Sequence, residues 1–166
     1  MRRLFASFLV ALTAALFYFP DRGTHKAHAA VAGLPYTLVQ MNLCLSGQAR
    51  CFQSTQYPLG VEEAVAQIIG SHADAVTLNE VCSGDVEEIA RVTSYNVRFA
   101  TVRYRGALLP CRNPGNRGVF GIAVLTNQSI VSSTDRPFQV QDGVEERRWM
   151  CATTGDRVTV CATHLS

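Results

Sequence analysis

The sequence predicts a layered α/β domain, of the α+β kind, built on a mixed sheet. Three observations carry that expectation. Short runs rich in strand formers recur along the chain, two windows show helical periodicity, and the order is β-α-β-α followed by further strands. Residues 36–42 alternate and read as the first strand. The polar stretch that follows ends at Pro58 and Gly60 and reads as a loop. Val61, Ala64, Val65, Ile68 and Ile69 then fall on one helical face, and Gly70 ends that helix. Residues 74–78 form a short apolar run, a buried strand that delivers Asn79 and Glu80 at its C-terminal end. A second helix is expected from Asp85. Asp85 and Glu88 have capping-box spacing, and Val86, Ile89 and Ala90 supply the apolar face. Residues 95–102 read as a strand, 105–117 as a loop rich in Gly, Pro and Asn, and 118–126 as a strongly apolar strand. Residues 129–133 continue as a strand, and a hairpin around Gly155-Asp156 comes last.

Residues 1–29 read as a secretory signal peptide. Arg2 and Arg3 precede an apolar run of 16 residues from Leu4 to Phe19, shorter than the roughly 20 a membrane span needs. Ala27-His28-Ala29 is a small-x-small cleavage pattern. Cleavage after Ala29 leaves residues 30–166 as one domain with no stable membrane anchor. The leader also accounts for the positive charge. The chain is +2 overall, but Arg2, Arg3, Arg22 and Lys26 against Asp21 give the leader +3, so the remainder is −1. Net charge is therefore no argument for nucleic-acid binding.

All six cysteines, Cys44, Cys51, Cys82, Cys111, Cys151 and Cys161, lie beyond the leader. An even count behind a signal peptide implies disulfides and a secreted, extracellular protein. Cys151 and Cys161 flank a strand-turn-strand pattern and would face each other. Cys44 and Cys51 enclose a short polar loop that a bond between them would close, and Cys82 with Cys111 follows by elimination. A structural zinc site, the alternative, lacks any C-x-x-C pair.

Ligands of such sheets gather beyond the carboxyl ends of strands. Asn42, Glu80 and His164 all fall at expected strand ends. A carboxylate held there suits a hard divalent cation that keeps waters for a phosphate substrate. An asparagine can orient a carboxylate or donate to a phosphate oxygen, and a histidine can donate or move a proton. Singly, each also has an ordinary structural role, as a turn residue, a solvated carboxylate or a hydrogen-bonded core histidine.

Gln40-Met-Asn42, Leu78-Asn79-Glu80-Val81, the run Gly118-Val-Phe-Gly-Ile-Ala-Val-Leu125 and Cys161-Ala-Thr-His164-Leu resemble, in that order, the endonuclease/exonuclease/phosphatase superfamily. This is the deoxyribonuclease I-like group of metal-dependent phosphoesterases. The resemblance implies a four-layer α/β sandwich of which this chain is the N-terminal half, with a mixed sheet. It implies that Glu80 binds the metal, Mg²⁺ or another divalent ion such as Mn²⁺ or Ca²⁺. It implies that Asn42 organises metal and phosphate, that His164 contacts the scissile phosphate, and that a metal-assisted water attacks phosphorus in line. The family's later Gly-Asp-x-Asn and Ser-Asp-His motifs are not found in this sequence. On that reading residues 30–166 are a partial domain, a fragment with one sheet and part of its helical cover. Its apolar outer face is left bare and it has little or no activity.

The expected function is a secreted Mg²⁺-dependent phosphoric ester hydrolase, a phosphodiesterase or nuclease when complete, with DNA or RNA among its substrates. Arg103, Arg105 and Arg117, with Tyr104 among them, are expected to grip a phosphodiester backbone from the loop before the glycine-rich strand. Arg147 and Arg148 read as an exposed strand start, and no specific protein partner is expected. The alternatives are a sphingomyelinase-like lipid phosphodiesterase and a non-catalytic, disulfide-stapled secreted binding domain.

Overall fold

The computed structural model describes residues 35–165, so the leader expected over residues 1–29 lies outside the described residues. In chain order the elements are β1 (Leu38–Asn42), α1 (Phe52–Thr55), α2 (Leu59–Gly70), β2 (Ala75–Cys82) and α3 (Ser83–Thr93). There follow β3 (Asn96–Thr101), β4 (Arg103–Tyr104), β5 (Ala107–Leu108), β6 (Phe120–Thr126), β7 (Ile130–Pro137), β8 (Arg148–Thr154) and β9 (Thr159–Thr163). β1, β2, β6 and β3 form a mixed sheet in that order. β1 and β2 are parallel, and the other neighbours are antiparallel. β7, β8 and β9 form a second, antiparallel sheet, and β4 and β5 a small hairpin. Among the described residues no helix is long and apolar enough to cross a membrane.

The first sheet is a middle layer. α3 packs on β2, β3 and β6 with α2 beside it, while β8 and β9 pack on β6, and β9 also on β2. This sandwiching explains the apolar run in β6. Every residue from Phe120 to Thr126 is buried, as a strand covered on both faces requires. β8 and β9 alternate instead, turning Met150, Ala152 and Thr154, with Val160 and Ala162, inward. The expectation that the first sheet keeps a bare face is thus corrected: β7–β9 cover it. Two of the inward residues are alanines, too small to register strongly in a reading of hydrophobic pattern.

Both helices differ from their sequence patterns in instructive ways. α2 buries Val61, Ala64 and Ile68, but Ile69 is exposed. Each helical residue turns about 100°, so the eighth residue on from Val61 drifts off its stripe. α3 begins at Ser83, and its N-cap Cys82 makes no side-chain capping bond. Asp85 is therefore not the cap. It lies in the first turn, 1% exposed, and pairs with the guanidinium of Arg117, 6% exposed.

All six cysteines are paired: Cys151 with Cys161 and Cys44 with Cys51 as their spacing suggests, and Cys82 with Cys111, the pair left by elimination. Cys151 and Cys161 sit directly opposite each other in the β8–β9 register. The Cys44–Cys51 and Cys82–Cys111 pairs have Cα atoms 6.0 and 6.2 Å apart, within the usual range for a disulfide.

Arg117 does more than neutralise Asp85. It donates to the carbonyls of Leu45 (2.6 Å), Arg112 (2.7 Å) and Pro114 (3.2 Å) and lies 4.9 Å over the Tyr57 ring. The expected role of Arg117 in gripping substrate is corrected on this geometry, because its donors are already bonded inside the protein. Burial pushes the Asp85 carboxyl up to about 6, against the pull of Arg117. The folded state therefore keeps a proton that the unfolded chain, near 3.8, has released. That contribution is present below about pH 4 and is lost as pH rises to about 6.

Two outcomes are expected. Asp85→Ala leaves a buried guanidinium unpaired and should cost about 3–5 kcal/mol in denaturant unfolding. The stability advantage of wild type over Asp85→Asn should shrink between about pH 4 and pH 6, read from unfolding midpoints across that range.

Candidate active site

β2 is interrupted where the chemistry sits. Leu78 pairs with Ala123 and Val81 with Gly121, so Asn79 and Glu80 stand opposite the single residue Ile122. This is a β-bulge. Glu80 adopts φ +55°, the left-handed region, a conformation that costs a residue with a Cβ about 1–2 kcal/mol. The sequence expects Glu80 at the end of its strand; it lies within β2, and the bulge rather than the strand end presents it. Asn42 ends β1, and His164 directly follows β9.

The three residues meet. Asn42 Nδ2 donates to Glu80 Oε1 at 2.8 Å, and His164 Nε2 lies 3.5 Å from the same oxygen. Glu80 and His164 are about one-fifth exposed, at 20% and 23%, so they border solvent without being fully wetted. Asn79 helps bring β9 into place. It is buried and donates from Nδ2 to the carbonyl of Thr163 at 3.0 Å, next to His164, while its Oδ1 has no hydrogen-bond partner among the described residues.

Two residues join the site that sequence reasoning missed. Glu145 Oε1 lies 3.2 Å from His164 Nδ1, and Arg147 donates to Glu145 Oε1 at 2.8 Å. Arg147 is only 17% exposed, with a buried Nε that has no partner among the described residues, so the exposed strand start expected there is corrected. Glu145 is delivered by main-chain pairing. Tyr104 and Glu145 form an isolated antiparallel bridge, Arg105 N donates to the Val144 carbonyl (2.6 Å) and Glu146 N to the Arg103 carbonyl (2.8 Å). The run Glu145-Glu146-Arg147-Arg148 was the available signal, but its charges pair locally and read as solvated surface.

Glu80 and Glu145 line a cavity of about 250 Å³ together with Ser46, Gln48, Tyr104 and Phe120. Tyr104 thus reaches the site, with the Arg105 guanidinium 5.8 Å from its ring centroid. Arg103 and Arg105 are exposed at the adjoining β4–β5 hairpin, where Arg103 donates to the Gly106 carbonyl at 3.2 Å. The wall formed by residues 44–51 is held against residues 109–117. Gly47 has φ +72°, and a Cβ there would strike the Arg112 backbone, so only glycine allows that approach.

The donor set suits a hard divalent cation. Glu80 supplies a carboxylate fixed by one hydrogen bond, Glu145 is a second carboxylate in the lining of the same cavity, and Asn79 Oδ1, unpartnered among the described residues, is a further oxygen acceptor close by in sequence. The Cys44 and Cys51 sulfurs also lie near Glu80, but joined in a disulfide they are not thiolate ligands. His164, with Nδ1 turned to Glu145, presents Nε2 on the Glu80 side, the arrangement a proton donor or acceptor needs.

The bulge predicts a separation of stability from function. Glu80→Gly should be more stable than Glu80→Ala by about 1 kcal/mol in urea unfolding, because only glycine relaxes at positive φ.

No protein-family model matches the sequence, and no curated protein matches it. Solved structures do. An endonuclease/exonuclease/phosphatase from Beutenbergia cavernae superposes with a TM-score of 0.56 at 21% identity, over 78% of this chain and 38% of its own. The human Nocturnin catalytic domain gives 0.53 at 17% identity, over 77% and 49%. A mannosyl-6-phosphatase from Bacteroides thetaiotaomicron gives 0.56 at 11% identity, over 80% and 52%. The chain thus spans about half or less of the structures it matches. Identities this low speak to architecture, and the architecture shared over those spans makes this chain a part of the endonuclease/exonuclease/phosphatase fold.

Proposed function

We propose that this chain carries the metal- and phosphate-facing part of a secreted, divalent-metal-dependent phosphodiesterase, with nucleic acid as its substrate class. The observation that supports this most is the convergence of Asn42, Glu80 and His164 on one carboxylate oxygen, from strands far apart in sequence. In this reading Glu80 holds the ion, Mg²⁺ or a similar hard cation, with Glu145 in the lining of the same cavity. The ion supplies Lewis-acid polarisation and an activated water. Asn42 keeps the Glu80 carboxylate turned outward and donates to a phosphate oxygen. His164, steadied through Nδ1 by Glu145, donates from Nε2 to a phosphoryl oxygen as charge develops.

Tyr104 gives a base or sugar an aromatic face, and Arg103 and Arg105, exposed on the hairpin beside it, meet backbone phosphates. Secretion is supported by the three disulfides and by the leader-type pattern of residues 1–29. Full turnover, on this proposal, requires the layers that the matched structures possess outside the span this chain covers. Residues 30–166 should bind the ion yet hydrolyse little.

The test has two parts. Isothermal titration should detect Mn²⁺ binding to this chain and lose it in Glu80→Gln. In a protein carrying the remaining layers, Glu80→Gln and His164→Ala should each lower Mg²⁺-dependent hydrolysis of DNA and bis-p-nitrophenyl phosphate by about 10²-fold or more. Activity unchanged in both variants would remove the assignment.

A further inference from the structure

The Cys44–Cys51 disulfide lies against the active-site carboxylate. Cys51 Sγ is 3.9 Å from Glu80 Oε2, and the two sulfurs and a Glu80 oxygen all fall within 4.8 Å of one another. The other Glu80 oxygen faces His164 Nε2 at 3.5 Å. Disulfide and imidazole therefore flank one carboxylate. The phosphodiesterase reading uses the carboxylate and the imidazole but gives the sulfurs no part.

We propose that reduction of the Cys44–Cys51 disulfide turns this rim into a zinc site, with the Cys44 and Cys51 thiolates and a Glu80 oxygen as its protein ligands. Two sulfurs and one oxygen, with a water in the fourth position, are a set that Zn²⁺ accepts in tetrahedral coordination. The oxidised rim offers only hard oxygen and imidazole donors, whereas soft thiolate ligands shift preference toward zinc.

The redox step needs a dithiol reductant. Its first thiolate attacks the sulfur of Cys51, the exposed partner, and expels the thiolate of Cys44, which is 4% exposed. Its second thiol resolves the mixed disulfide and frees Cys51. Two electrons pass to the cysteine pair, the reductant's two protons go to the cysteines, and the reductant leaves as its own disulfide. Zinc then displaces the two thiol protons. Access favours this bond over Cys82–Cys111, whose residues are both buried. Zinc held here would occupy Glu80, so under reducing conditions that carboxylate would be closed to a phosphate-bound ion.

The probe is Co²⁺, followed by Zn²⁺ competition, on the full chain with and without dithiol treatment. Reduced wild type should bind one Co²⁺ with sulfur-to-metal charge-transfer absorption that Zn²⁺ abolishes, and oxidised protein should show none. Cys44→Ser/Cys51→Ser, reduced in the same way, should lose the absorption, and Glu80→Gln should weaken binding about tenfold or more. Absorption that persists in the double variant would assign the sulfur ligands to other cysteines and overturn the proposal. Reduced wild type lacking the absorption would overturn it too. Should full reduction unfold the chain, Cys44→Ser purified without reductant keeps the other two disulfides and a Cys51 thiol beside Glu80. It should show the same absorption at lower affinity, and its silence would count against the site. None of these readouts involves hydrolysis, so this proposal and the phosphodiesterase reading can fail separately.

Discussion

The guanidinium of Arg117 organises this molecule. It is a buried charge, and burying one is tolerable only if it is paired and fully hydrogen-bonded. Asp85 supplies the countercharge from the first turn of α3, while the carbonyls of Leu45, Arg112 and Pro114 take the remaining donors. Three segments distant in sequence are thereby fixed to one point. Two of them, the stretch after β1 and the stretch before β6, make a wall of the cavity. Their close approach at Gly47 and Arg112 and the Cys82–Cys111 bond follow the same line of contact.

Against that rigid wall the bulge in β2 turns Glu80 outward. A regular strand would alternate its side chains between the helices and the second sheet, with no route to solvent at this position. The extra residue breaks the alternation and puts a carboxylate at the rim. The strain of a left-handed glutamate is the sort of local cost found where a side chain must be held in one orientation. Asn42 from the parallel neighbour then fixes the carboxylate, and the Glu145–His164–Arg147 group closes the far side.

Much of this was legible in the sequence wherever the signal was local or the residue stood at a strand end. The strand and helix order, the pairing of the hairpin cysteines, and the candidates Asn42 and His164 belong to that class, whereas Glu80 was expected at a strand end and is presented by a bulge inside β2. What escaped depends on partners far along the chain. Asp85 carries a capping pattern with Glu88, yet its partner is Arg117, 32 residues on. Arg117 itself sits in a loop of arginines that composition alone would leave in solvent. Glu145 reaches the site only because residues 144–146 zip onto residues 103–105, a pairing no periodicity announces. That the later strands cover the first sheet was hidden because their inward positions include Ala152 and Ala162, whose small side chains leave little hydrophobic trace.

The Cys151–Cys161 bond has a consequence beyond holding a hairpin closed. Among the described residues β9 is an edge strand, paired only with β8 in its sheet. A slip of one residue would move His164 by about 3.4 Å and turn its neighbours to the opposite face. A covalent link between directly opposed residues forbids that slip. The bond thus acts as an alignment pin: it sets the tolerance to which an imidazole on one sheet meets a carboxylate on the other.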